Sequence, residues 1–240
     1  MTNSAVHSGT SPAPMNVFAR FIGIITAPRA TYESVVAHPK WLGMYVLTAV
    51  LIAFGAALPM TTDAGKQAAV DQQVAALEGF GMQVPDEQYA AMHKGTAILP
   101  YTTAASVVFG MIVGYLVMAG ILFAIFNAAM GGEASYKKVL TVLVHSAVIS
   151  AVSAVFAGPL NYFRGAVTSP TSLGALLPML DDTSFAGKLA GMIDIFMIWG
   201  TIVLAIGLAV LYRRKTQPIA ITLLSIYAIV AVIFAYFTSN

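Results

Sequence analysis

The chain has 240 residues, of which 58% are hydrophobic and only 9% charged, with a formal net charge of +2; soluble globular domains carry about 25% charged residues. This composition excludes both a soluble globular domain and a globally disordered chain. With no cysteine, disulfides, thiolate catalysis and thiolate metal sites are excluded as well.

In chain order, residues 1–14, MTNSAVHSGTSPAP, are small, polar and proline-bearing, and are expected to form a disordered tail. They contain no basic n-region and no apolar core, so insertion is expected to begin at the first span. From Asn16, a good N-cap, Val17, Phe18, Phe21, Ile22, Ile24 and Ile25 recur at three- and four-residue spacings. The run is too short to span. It predicts an interfacial helix in the headgroup plane, with Phe21 and Ile24 buried and Arg20 in water. Pro28 suits the first turn of a second short helix whose apolar side is Tyr32, Val35 and Val36, and His38-Pro39 ends it. Residues 15–40 are thus expected to be cytoplasmic interfacial helices.

The rest, 41–238, reads as a membrane domain of five transmembrane helices, an all-α polytopic architecture. A hydrocarbon core of ~30 Å takes roughly 20 helical residues, and spans are predicted at about 41–60, 99–129, 139–158, 189–212 and 219–237. Trp41 suits the interface at the first start. Gly131-Gly132 stops the second span, Ser135 is the next N-cap candidate, and Pro159 ends the third. The outer loops are 61–98 and 159–188. The first is rich in charge, with a helical face at Val70, Val74 and Leu77 and a helix opened by Pro85-Asp86-Glu87; the second is rich in Pro, Gly, Ser and Thr.

Orientation follows from Lys and Arg. With the N-terminus inside, that side holds Arg20, Arg29, Lys40, Lys137, Lys138 and the tight turn Arg213-Arg214-Lys215, while Lys66, Lys94, Arg164 and Lys188 lie outside. The positive-inside bias therefore predicts N-in, C-out.

Signatures of hydrolases, zinc peptidases, P-loops and dinucleotide sites are missing. His7, His38, His93 and His145 fall in separate regions, so no metal site is predicted. Neither catalytic residues nor a cofactor nor a nucleic-acid partner is expected. Asp194 is the single formal charge inside a predicted span, about 9 Å of helical rise beyond Lys188. A bare carboxylate there costs several kcal/mol, which leaves two readings. One is structural, with Arg164 as partner or a network with Asn161, Tyr101, Thr102 and Thr103 at the same outer level. The other is an ion or proton site in the path of a small-solute or ion transporter or channel. Toward the inner leaflet, folding the second and third spans back about residue 134 puts Asn127 beside Thr141, with His145 one turn deeper. A helix-to-helix hydrogen bond is the expected use of such residues. A proton relay would need His145 and Asp194 in contact, yet they sit toward opposite leaflets.

Small residues repeat every four positions: Ser146, Ser150, Ala154 and Gly158 in the third span, Ser106, Gly110 and Gly114 in the second, and Gly120, Ala124 and Ala128 after them. Such rows let helix backbones approach closely. They are expected to be packing faces within the chain or between two copies of it.

Two stretches carry a family resemblance. NVFARFIGIITAPRATYESVVAHPKWL has an amphipathic lead, a Pro-x-x-x-Tyr step and a Pro-x-Trp before the first span; GGEASYKKVLTVLVHSAVISAV leads into the third span through Gly-Gly, an aromatic and two basic residues. Together with the five-span plan and cytoplasmic N-terminus, they resemble the prokaryotic branch of the Yip/Yif family, membrane proteins named for interacting with Ypt/Rab GTPases, over about residues 16–236. The Asp-Leu-Tyr-Gly-Pro element of eukaryotic members does not occur, and Val144-His145 or His145-Ser146 stands where they have Gly-Tyr, so no GTPase-binding residues are carried over. The resemblance implies membrane organisation or protein trafficking. The expectation is a non-enzymatic scaffold or partner-binding module in the bacterial cytoplasmic (inner) membrane. Its partners would be the lipid bilayer, a membrane or cytoplasmic protein, and a second copy of the chain. The alternative is a small-solute or ion transporter using Asp194.

Overall fold

The computed structural model describes residues 13–129 and 131–239, which form an all-helical bundle with one isolated β-bridge and, among the described residues, no strand. Residues 1–12 of the expected tail, His7 with them, lie outside the described residues.

Helix α1 (Val17–Thr26) starts where Asn16 Oδ1 accepts the Ala19 N–H at 2.8 Å. Helix α2 (Pro28–Ala37) starts on Pro28, whose missing N–H costs nothing in a first turn. The two pack on each other and against the bundle, with Phe21 against the core as expected. Ile24 is buried, Phe18 and Ile22 are exposed, and Arg20 is only 3% exposed. Its Nη2 donates to the His38 carbonyl at 2.9 Å and its Nη1 to the Lys40 carbonyl at 3.4 Å. Arg20 is therefore not in water. Carbonyls beyond a helix end need donors, and a guanidinium fork supplies two at once. Its burial lowers the Arg20 pKa from the ordinary arginine value.

Helix α3 (Leu42–Ala57) follows, closed by a 3-10 turn at Pro59–Thr61. In the first loop, α4 (Asp63–Gly79) is capped by Thr62, and α5 (Asp86–Lys94) is lashed to it where Gln67 and Tyr89 both donate to Asp71. A 3-10 turn, Gly95–Ile98, leads into α6 (Leu99–Phe123), which ends in a π-helical turn, Ala124–Ala129. Helix α7 (Tyr136–Arg164) runs through Pro159 and stops at Gly165, whose φ of +59° is the left-handed conformation glycine tolerates best. The third span was expected to end at Pro159. One lost backbone hydrogen bond does not break a helix held by neighbours on several sides.

The second loop carries α8 (Leu173–Leu176) and α9 (Phe185–Met192). Helix α10 (Ile195–Leu211) and α11 (Thr216–Thr238) complete the bundle. The predicted fourth span is thus interrupted: the chain is extended at Ile193 and Asp194, and two helices replace one.

Among the described residues three stretches are long and apolar enough to cross a membrane, Asp86–Ala128, Tyr136–Arg164 and Thr216–Thr238; α3 and α10 are apolar but shorter. Helix α7 is the central column, with 61% of its most apolar stretch buried against 11% for that of the segment containing α6 and 17% for that of α11. It packs on α3, α10, α6, α1 and α2. Val139, Val142, Val144, Val148 and Ile149 bury its sides, as suits a helix apolar all round. Tyr32 of α2 inserts between α7 and α10, where a Cβ on Gly207 would lie 2.7 Å from the ring. The Tyr45 hydroxyl of α3 donates to the Val108 carbonyl of α6.

Candidate functional site

The interruption at Asp194 defines the first of two polar sites. Asp194 is the N-cap of α10, its Oδ1 accepting the N–H groups of Phe196 at 2.8 Å and Met197 at 3.2 Å. The other oxygen, Oδ2, accepts from Ser169 Oγ and Thr171 Oγ1, each at 2.6 Å. Four donors thus hold one carboxylate. The backbone is pinned too, with Ser172 and Asp194 bridged and the Leu173 N–H donating to the Ile193 carbonyl at 2.7 Å. From α11, the Tyr227 hydroxyl donates to the Met192 carbonyl just before the break.

The other residues expected around Asp194 lie elsewhere. Arg164 Nη1 donates to Asn161 Oδ1 at 3.3 Å, a pairing inside the last turn of α7. Tyr101 is 77% exposed, Thr102 donates to the Leu99 carbonyl of its own helix and to that of Ile98 just before it, and Thr103 is half-buried. Among the described residues Asp194 is in no ion pair. A loop supplies what the neighbouring helices were expected to supply, because a carboxylate at a helix start is already half satisfied by that helix's own N–H groups. The signal was present in the sequence: Asp directly before the apolar run Ile195-Phe196-Met197-Ile198 is a helix-start pattern. Ser169 and Thr171 had none, since loop geometry alone brings them to Asp194. Further along the same loop, the Thr183 N–H and hydroxyl hold the Asp181 carboxyl below its ordinary pKa.

The second polar site, around Asn127, also differs from expectation. Asn127 is not beside Thr141. It lies in the π-helical turn, where its Nδ2 donates to the Ala134 carbonyl at 2.7 Å and its Oδ1 accepts from the Tyr212 hydroxyl at 2.8 Å. The end of α6, the 131–135 connection and the end of α10 thus meet on one amide. Phe126 stacks on Tyr212 with ring centroids 4.8 Å apart, and a Cβ on Gly132 would lie 2.6 Å from that tyrosine ring. Thr141 donates to the Lys137 carbonyl, and His145 Nδ1 lies 2.7 Å from the Thr141 carbonyl, so the bonds these two side chains make stay within α7. A carbonyl there requires the proton on Nδ1. His145 Nε2 and Arg20 Nε are the buried side-chain nitrogens without a partner among the described residues.

The small-residue rows divide. Ala154 and Gly158 face α3, where a Cβ on Gly55 would lie 2.3 Å from the Ala154 carbonyl oxygen. Ser150 is exposed and Ser146 is half-buried with its hydroxyl donating to the Leu143 carbonyl, so Ser150 is not on a packing face; the fully buried neighbour is Val148. Ser106 is exposed, and a Cβ on Gly110, Gly114 or Gly120 would meet nothing within 4 Å. Among the described residues those glycines therefore have open space beside them. Gly55 was missed because its partners are a helix away and it repeats in no row.

The long apolar helices keep their charges at the ends: α3, α6, α10 and α11 contain no charged residue, and α7 only Lys137, Lys138 and Arg164. An all-helical chain with this distribution is an integral membrane protein. The Yip1 domain profile matches residues 22–237, and the chain belongs to that family. It is similar to the Bacillus subtilis (strain 168) membrane protein YknW, with 25% identity over 209 residues, 86% of this chain and 83% of that protein. No solved structure matches.

Proposed function

We propose that the chain is a non-enzymatic membrane scaffold, a partner-binding module of the trafficking type. It sits in the bacterial cytoplasmic (inner) membrane with five spans, N-terminus in and C-terminus out. The bilayer is its first partner, and a membrane or cytoplasmic protein or a second copy its next. The observation that carries this reading is the saturation of Asp194: a carboxylate held by two backbone N–H groups and two hydroxyls is a fixed cap. A coupling site must instead exchange its partners for an ion or proton in each cycle. The anchoring of α1 and α2 by Arg20 supports a preformed cytoplasmic surface. The apolar α3 and α10 complete the five spans, and the bacterial relative supports the location.

Proteoliposomes carrying the purified chain are expected to pass protons, alkali cations and small solutes no faster than empty vesicles. A flux abolished by Asp194→Asn in a stably folded protein would replace the scaffold reading with a transporter.

A further inference from the structure

Helices α6 and α11 stand apart. The first leans on α3 and α7, the second on α10 and α9, and a groove of about 1090 Å³ opens between them. This exceeds the roughly 300–1,000 Å³ usual for small-molecule sites. Its walls run from Met111 on α6 to Ile125 in the π-helical turn that ends it and from Pro218 to Val230 on α11, with Leu143 and Leu204 on its floor. At 1.5 Å per residue the α6 wall is about 21 Å long, enough for the chains of one leaflet, roughly half of a ~30 Å hydrocarbon core.

Charge gathers at one end. Arg213, Arg214 and Lys215 border the groove and are exposed, and the adjoining polar pocket shares them and adds Arg29, with Glu33 as its single acid. The backbone aims these cations. The Arg214 N–H donates to the Ala209 carbonyl at 2.9 Å and the Arg213 N–H to that of Val210 at 3.4 Å, the paired bonds of a Schellman closure. Arg213 takes the position where glycine is usual, with φ +51°. A strained non-glycine residue there keeps a guanidinium at the mouth where an unstrained glycine would carry none.

We propose that this groove is a binding site for one anionic phospholipid, its acyl chains along α6 and α11 and its phosphate at Arg213-Arg214-Lys215. Apolar walls select chains without regard to headgroup, whereas four cations against one acid select a net negative head over a zwitterionic one. A helix of a second copy would find apolar walls but no counterpart for the basic mouth. The inference needs only a membrane-embedded chain and is independent of the scaffold reading.

The test is native mass spectrometry of the full chain from mixed micelles holding equal phosphatidylglycerol and phosphatidylcholine with identical acyl chains. Phosphatidylglycerol is expected to be retained over phosphatidylcholine by on the order of tenfold, at roughly fivefold per basic side chain less partial screening. Arg213→Gln, Arg214→Gln and Lys215→Gln in one chain leave Arg29 against Glu33, and should erase the preference and leave weak, headgroup-blind retention. Gly114→Leu fills the groove from a position where a Cβ meets nothing within 4 Å, and should lose both lipids while melting like the parent chain. If that variant fails to fold, the charge variant decides alone. Equal retention by the parent chain, or a preference surviving either variant, overturns the proposal. So does disulfide crosslinking between two copies through Gly114→Cys, which would give the groove to a second copy.

Discussion

Gly158 of α7 lies against the backbone of Gly55 of α3: a Cβ on Gly158 would stand 2.8 Å from both the Cα and the carbonyl oxygen of Gly55. The central column can approach α3 this closely because neither glycine brings a side chain. Gly158→Ala and Gly55→Ala should each lower stability by roughly 1–3 kcal/mol through overpacking. Gly110→Ala has open space and should be neutral or stabilising by up to about 1 kcal/mol. Val148→Leu should likewise destabilise, and Ser150→Leu should be tolerated. Thermal unfolding in detergent checks all five, and equal tolerance of Gly158→Ala and Gly110→Ala would contradict the close approach.

Asp194→Asn should keep the cap, since asparagine is as good an N-cap as aspartate. Asp194→Leu strands two backbone N–H groups and the Ser169 and Thr171 hydroxyls, and should cost about 2 kcal/mol. Ser169→Ala should add little in the Asp194→Leu background, because the shared bond is already gone. Arg164→Leu should not rescue that background, because Arg164 serves Asn161. Melting temperatures of the single and double variants decide; a rescue by Arg164→Leu would show an ion pair instead.

Arg20 holds α1 to the link between α2 and α3. Lysine offers one point charge in place of a planar fork, so Arg20→Lys should cost roughly 1.5–3 kcal/mol, the range for hydrogen bonds to charged groups. A nitroxide at exposed Ile22 should collide with oxygen more than with a water-soluble nickel reagent in the parent chain. Nickel access equal to that of a loop position such as Glu78 would mean α1 does not lie against lipid.

Topology can be read directly, as the chain has no cysteine. Single cysteines replacing Glu78, Asp182 and Ser239 should react with an impermeant thiol reagent in intact cells, and one replacing Ser135 should not. Labelling at Ser135 would reverse the N-in orientation.

What the amino-acid order determines here is local or compositional. A 58% hydrophobic chain with 9% charge is a membrane protein before any contact is known, and the two flanking stretches pointed to the family that the profile match bears out. Asn16 and Pro28 begin helices because caps act within one turn. Tertiary structure alone decided the rest. In lipid, an apolar surface does not tell a helix face that packs from one that meets acyl chains, so Gly114 on a lipid-exposed helix and Gly158 in a tight seam read alike. A polar residue likewise does not name its partner. Arg20 turned inward to carbonyls, Asn127 joined Tyr212, and Asp194 was met by Ser169 and Thr171. Each of these bonds depends on the course of a loop or on the closeness of two helices, and neither is encoded in the spacing along a single helix.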